Sequence, residues 1–154
     1  MTHETLAAQL GSLCSHSWES FGMPVLETGA DHLFLLVERL KKEFFFDVLL
    51  DVTAIDYPER QPRFVAVFHL FSSAACLRVR IKVAVPDQDL SLATLTPLYG
   101  SARFLEREVH EMYGIRFAGN SDLRPILLYE GFVGHPLRKD YPIDREQPIV
   151  EYRR

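Results

Sequence analysis

Leu6, Leu10 and Leu13 recur at the i, i+4, i+7 spacing of one helical stripe, which predicts a first helix over about residues 4–17, broken by Gly22-Met-Pro24. A second stripe, Leu33, Leu36, Val37, Leu40 and Phe44, predicts a helix from Asp31, a favourable N-cap, to about Glu43. Glu38–Lys42 and Arg39–Glu43 are i,i+4 pairs on its outer side. At Phe46 the period changes to two: Phe46, Val48, Leu50, Val52 and Ala54 form one face, and Asp47, Leu49, Asp51, Thr53 and Ile55 the other. Residues 63–71 read as a strand apolar on both faces. Residues 77–85 are the cleanest strand, with Leu77, Val79, Ile81, Val83 and Val85 alternating with Arg78, Arg80 and Lys82. Short connections favour an antiparallel meander whose second face is partly solvated. A helical turn is expected near residues 90–96. A third helix is expected from Ser101, as N-cap, to Gly114, with Leu105, Val109 and Met112 buried and Arg103, Glu106, Arg107, His110 and Glu111 toward the other side.

The fold class that follows is α+β, an antiparallel sheet with helices on one face, over residues 1–114. Residues 115–154 keep neither period. Pro125, Pro136, Pro142 and Pro148 interrupt them, yet Ile126-Leu-Leu-Tyr129 and Phe132-Val133 are too apolar for a disordered tail. A long non-periodic stretch beside a compact domain signals binding or a lid. Here Arg124, Arg138, Lys139, Arg145, Arg153 and Arg154 interleave with Glu130, Asp140, Asp144, Glu146 and Glu151, a mixture suited to a protein surface rather than a polyanion. The segment reads as an extended C-terminal docking arm.

Composition narrows the function. The 154 residues carry 17 Lys+Arg against 21 Asp+Glu, a formal charge of −4, which argues against nucleic acid as a partner. No apolar run approaches the ~20 residues of a membrane span, and the first residues lack the pattern of a signal peptide. Cys14 and Cys76 show no metal or disulfide spacing and read as small apolar fillers. Phosphate-binding glycine loops and nucleophile elbows are absent from the sequence.

Three groups of residues could carry chemistry. Glu106 and His110 share a helical face and would need Asp122 or His135 to complete a metal site; otherwise they are a solvated pair. Arg107–Glu111 is an i,i+4 pair on a charged face that is either solvated or a docking surface. His135 with Asp140 could act as a base and its orienter, but no nucleophile accompanies them. Asp51, Asp56 and Tyr57 read as turn and edge residues, and Arg78, Arg80 and Lys82 as a basic strand face open to an anionic surface.

Leu105-Glu-Arg-Glu-Val-His-Glu-Met-Tyr-Gly-Ile115 and Asp122-Leu-Arg-Pro-Ile-Leu-Leu128 resemble the signature of the thirty-kilodalton type subunit of respiratory complex I, the proton-pumping NADH:quinone oxidoreductase. Gly134-His-Pro-Leu-Arg-Lys-Asp-Tyr-Pro142 looks like the same family's second hallmark, and Leu50-Asp-Val-Thr-Ala-Ile-Asp-Tyr-Pro58 with Arg63-Phe64 matches it in order and spacing. The resemblance spans about residues 30–143. The chain departs from the pattern at Asn120-Ser121 (usually His-Pro), Pro125 (usually Arg), Phe104 (commonly Trp) and Glu111 (commonly Asp).

The resemblance implies a non-catalytic subunit of the peripheral arm of a membrane-associated complex, on the cytoplasmic side of the cell membrane. It implies no cofactor in this chain, with iron–sulfur clusters and FMN carried by partners. The large, forty-nine-kilodalton type quinone-site subunit and the cluster-bearing subunits are the implied partners. Glu106, Arg107, Glu108 and Glu111 would hold the signature helix and its interface; Asp122, Arg124, His135, Arg138, Lys139 and Asp140 would anchor the arm. A related membrane-bound hydrogenase subunit, an interaction module outside respiration and a stand-alone enzyme using His110 and His135 are the competing readings.

Overall fold

A computed structural model describes residues 2–147; the expectations for Pro148, Glu151, Arg153 and Arg154 lie outside them. The first helix, α1 (His3–Leu10), starts where the Thr2 hydroxyl accepts the Thr5 amide, and it is shorter than its leucine stripe suggests. Gly11, at φ 59°, ends it, and Leu13 packs from a 3₁₀ turn. His16 and Ser17, expected at the end of this helix, instead open a hairpin of β1 (His16–Ser20) and β2 (Met23–Thr28), turned by Phe21-Gly22. Pro24 is compatible with the strand because the parallel ladder from β2 to its inner neighbour begins only at Val25.

Helix α2 (Leu33–Phe44) buries Leu33, Leu36, Val37 and Leu40 as its period requires, and both i,i+4 pairs form. Asp31 is not its cap; it sits in a 3₁₀ turn, Ala30–His32. Strands β3 (Val48–Asp56), β4 (Phe64–Ser72) and β5 (Leu77–Val85) make the expected antiparallel meander. The sheet order is β1-β2-β5-β4-β3, with β2 and β5 parallel, so the sheet is mostly rather than wholly antiparallel. A register shift between Leu49 and Asp51 breaks the two-residue alternation of β3. Leu49 is therefore buried with Val52 and Ala54, while Val48 and Leu50 are exposed.

Residues 90–96 do not form a helical turn. Ser91–Ala93 is strand β6, paired in parallel with β7 (Arg116–Ala118) across α3 (Ala102–Tyr113), a small β-α-β unit whose pairing partner lies too far along the chain to be seen locally. Gly114 ends α3 in the left-handed conformation, as expected, but the Ser101 side chain caps nothing and instead donates to the Leu49 carbonyl. The buried stripe of α3 is also rotated. Ala102, Glu106, Val109 and Glu111 are inside, and Leu105 and Met112 are only half-buried. One core unites the helices with the inner sheet face and with Leu92, Ile115 and Phe117. No helix among the described residues is long and apolar enough to cross a membrane.

Candidate functional site

Two carboxylates on α3 point inward: Glu106 ties together segments before and after the helix, and Glu111 holds the chain that follows it. Glu106 has no exposed surface. It accepts the Thr94 hydroxyl at 2.6 Å, the Leu95 amide at 2.7 Å and the Asn120 side-chain amide at 2.9 Å. Burial pushes its pKa up, and the three donors pull it partly back. Glu111 accepts the consecutive amides of Ile126, Leu127 and Leu128 at 3.0, 2.8 and 3.2 Å. A turn of backbone with no ladder to join thus has its donors satisfied by one side chain. Neither residue belongs to a solvated face, and Arg107 and Glu111 do not pair with each other. Arg107 donates to the carbonyls of Arg124 and Pro125 and lies 3.8 Å from Asp122, whose carboxyl is held well below its usual range chiefly by Arg124.

The second fastening is at the end of α3. A helix leaves its last carbonyls without partners, and here the 134–142 segment supplies them. His135 Nδ1 lies 2.9 Å from the Glu111 carbonyl, the Leu137 amide donates to Met112, and Arg138 Nε donates to Tyr113 at 2.6 Å. Gly114 is required twice over. Its φ is 77°, and a Cβ there would come within 2.7 Å of His135 Nε2 and closer still to the Arg138 guanidinium.

The third fastening joins the arm to the sheet. The Lys139 amide donates to Asp56 at 2.7 Å, and Asp140 accepts from Arg63 at 2.9 Å. Arg63 grips Asp56 through two bonds of 2.6 and 2.7 Å. Asp56 does end the edge strand β3, as expected, but its side chain is fully buried, and the Arg63 guanidinium lowers its pKa. The guanidinium carbons of Arg63 and Arg138 lie 4.9 and 5.2 Å from the centre of the Phe64 ring.

Nine of the ten residues singled out in the sequence take part in this band, through side chain or backbone; Glu108 is exposed and outside it. The sequence reading missed Thr94, Asn120, Asp56 and Arg63. Of these, Asp56 and Arg63 stand inside a quoted motif, whereas Thr94 and Asn120 carry no local signal. His110 contacts the Ile115 carbonyl, and His135 and Asp140 do not meet. Among the described residues no three His, Cys, Asp or Glu side chains are grouped to hold a metal ion. Cys14 packs beside the core, but Cys76 is exposed at a turn and fills nothing. What remains accessible on the band is Ile126, Leu127, Val133 and Leu137, together with the charged ends of Arg124, Lys139 and Asp140.

The family profile described as respiratory-chain NADH dehydrogenase, 30 Kd subunit, matches residues 26–147. The C-subunit of the NADH-quinone oxidoreductase of Geobacter sulfurreducens is 46% identical over 70% of this chain and 68% of its own length. The corresponding C-subunits of Rhizobium johnstonii and Erythrobacter litoralis are 41% and 38% identical, over 86% and 90% of this chain and 66% and 55% of theirs. The chain thus spans from just over half to about two thirds of the length of these relatives. Among solved structures, a trypsin-resistant fragment (1–134) of Nqo5 superposes with a TM-score of 0.64 at 31% identity, covering 78% of this chain and 95% of the fragment. A chain of the membrane-bound sulfane sulfur reductase, an archaeal respiratory membrane complex, superposes at 0.78 with 22% identity over 91% of this chain and 83% of its own, a likeness of fold.

Proposed function

The chain belongs to the family of the 30-kilodalton subunit of respiratory-chain NADH dehydrogenase, and from that premise we propose that it is a structural, non-catalytic part of the peripheral arm of an NADH:quinone oxidoreductase. Its role is to present the 119–140 band to the large quinone-site subunit and the cluster-bearing subunits, which carry the iron–sulfur clusters and FMN. Its association with the membrane, on the cytoplasmic side, is indirect, through those partners. The complex then moves electrons from NADH to quinone and translocates protons; this chain keeps the parts in register.

The observation that carries the proposal is the three-amide grip of Glu111 on Ile126–Leu128. It spends a buried carboxylate on shaping a loop whose side chains Ile126 and Leu127 then face outward, 40% and 63% exposed. Apolar side chains fixed in place two and three residues from the exposed Arg124 lose little further entropy on docking, which is how a preorganised interface gains affinity. The carboxylates Glu106, Glu111 and Asp56 have their oxygens occupied by the chain's own donors, which speaks for architecture rather than acid–base work.

Charge reversal at Arg107 or Arg138 would release the arm as well as alter a surface, because both hold backbone carbonyls. The cleaner test is Leu127→Glu or Lys139→Glu in the full chain, with assembly read by native electrophoresis of mild-detergent extracts. Assembly and NADH:quinone activity should fall while the isolated variant melts as the parent does. Normal assembly and turnover in both variants would refute the docking role.

A further inference from the structure

The opposite end of the sheet carries a second surface that the described part of the arm, residues 115–147, does not line. Strand pairing brings the β1–β2 turn, Phe21-Gly22, beside the β4–β5 turn, Ser73–Cys76, because Ser20 pairs with Met23 and Ser72 with Leu77. Between them lies a cleft of about 470 Å³, lined among others by Phe21, Met23, Phe71, Leu77, Arg78 and Arg80. Phe21 is fully exposed, at 107%, and holds φ at 51°. A bulky side chain in the left-handed region is strained, and this one gains nothing in return from its own chain. Phe45, at φ 58° and 66% exposed, and the exposed Val48, which pairs with Phe71, extend the apolar surface at this end.

The polar side of the cleft is one-signed. No carboxylate lines it. Asp47 is held by the amide and hydroxyl of Ser73, at 2.8 and 2.6 Å. Among the described residues the Arg78 guanidinium has no acceptor. Arg80 gives its Nε proton to His69 Nε2 at 2.8 Å, which requires a lone pair there, and leaves its terminal nitrogens free. In a chain of net charge −4, an apolar cleft with one unpaired guanidinium, a second bound only to a histidine and no acid in its lining is complementary to a carboxylate standing beside an apolar side chain.

We infer that this cleft docks a segment of a neighbouring subunit in which an apolar side chain stands next to an Asp or Glu: the apolar group packs against Phe21 and Phe71, and the carboxylate takes the fork of Arg78. Exposed aromatics with arginines beside them are the usual energetic centres of protein interfaces. The inference rests on the reading that the chain is a subunit of a larger assembly, and it adds a contact on the far side from the 119–140 band.

The test places a photo-cross-linking benzoylphenylalanine at position 21 of the full chain, in membranes where the complex assembles, and sequences the adduct. The expected product is a peptide of a different subunit with an acidic residue beside the cross-linked position. Arg78→Glu should cut its yield by about tenfold or more, and Arg78→Lys should retain much of it. Phe21→Asn should melt slightly above the parent as an isolated chain while weakening assembly. An assembled complex that gives no inter-chain adduct, an adduct to a second copy of this chain, or a yield indifferent to Arg78→Glu would overturn the inference and leave the role of the 119–140 band untouched. Failure of the parent chain to copurify with any other subunit would overturn both.

Discussion

At the Asp56 end of the sheet, the chain leaves α3 through Gly114 in the left-handed region, and the groups around that turn find their partners on the arm. At the Phe21 end the same backbone conformation is taken by Phe21, Phe45 and Cys76, all exposed among the described residues. Both ends expose apolar side chains, Ile126 and Leu127 at one and Phe21 and Phe45 at the other, but at the first the backbone beneath them is held by the chain's own side chains, whereas at the second it turns through left-handed aromatic residues. Proteins hold such costs where something outside the fold repays them.

The difference can be broken most directly at Asp56. Asp56→Asn removes the charge from a buried carboxylate in a bidentate pair with the partly exposed Arg63 and should cost about 3 kcal/mol in urea unfolding at neutral pH. Because Asp56 is shifted down, its contribution is present above the ordinary value of 3.8 and is lost as pH falls through the lower folded value. The parent should therefore show a loss on that acid limb that the variant lacks. Gly114→Ala comes next, at about 2 kcal/mol or more, from left-handed strain plus the encounter with His135 and Arg138. Part of that cost should return in the Arg138→Ala background; strict additivity would mean that the arm does not close on the turn.

Glu106→Gln should cost about 1–2 kcal/mol, since whichever way the new side-chain amide turns, its NH2 faces either the Leu95 amide or the Asn120 amide, both of them donors. Its pH signature has the opposite sign to that of Asp56. With a folded pKa above the ordinary 4.5, Glu106 contributes fully below that value, and the contribution declines as pH rises through the folded value. The variant lacks that decline, so parallel stability profiles of parent and variant from acid to neutral pH would contradict the burial of this carboxylate. At the other end the sign of the stability change reverses. Phe45→Gly should stabilise the isolated chain, by about 1 kcal/mol in the same urea titration, by relieving the left-handed helix terminus.

Where interactions are local, the sequence spells out the fold. The stripe of α2, the alternation of β5 and the glycine stop of α3 each follow from spacing within a few residues. Local reading fails wherever a distant partner decides. Residues 91–93 are a strand only because β7 arrives from beyond α3, and Met23–Thr28 is a strand because β5 offers a parallel edge. The same holds for the site. The residues of the band were legible as motifs, but their direction was not, because a Glu on a charged helix looks solvated until Thr94, Leu95 and Asn120 close around it. Period-based reasoning assigned Glu106 to water on a helix whose buried stripe is in fact turned by about one position.

The central claim is that residues 119–140, without helix or strand, are as much part of the fold as the sheet, because side chains of α3 take the place of a ladder. Native-state hydrogen exchange of the full chain tests it residue by residue. The amides of Ile126, Leu127, Leu128, Leu137 and Lys139 should exchange slowly, with protection near that of β7, and in Glu111→Gln, which keeps one acceptor oxygen of two, either Leu127 or both Ile126 and Leu128 should lose it. Exchange of these five amides at the rate of an unstructured peptide, beneath a protected sheet, would contradict it.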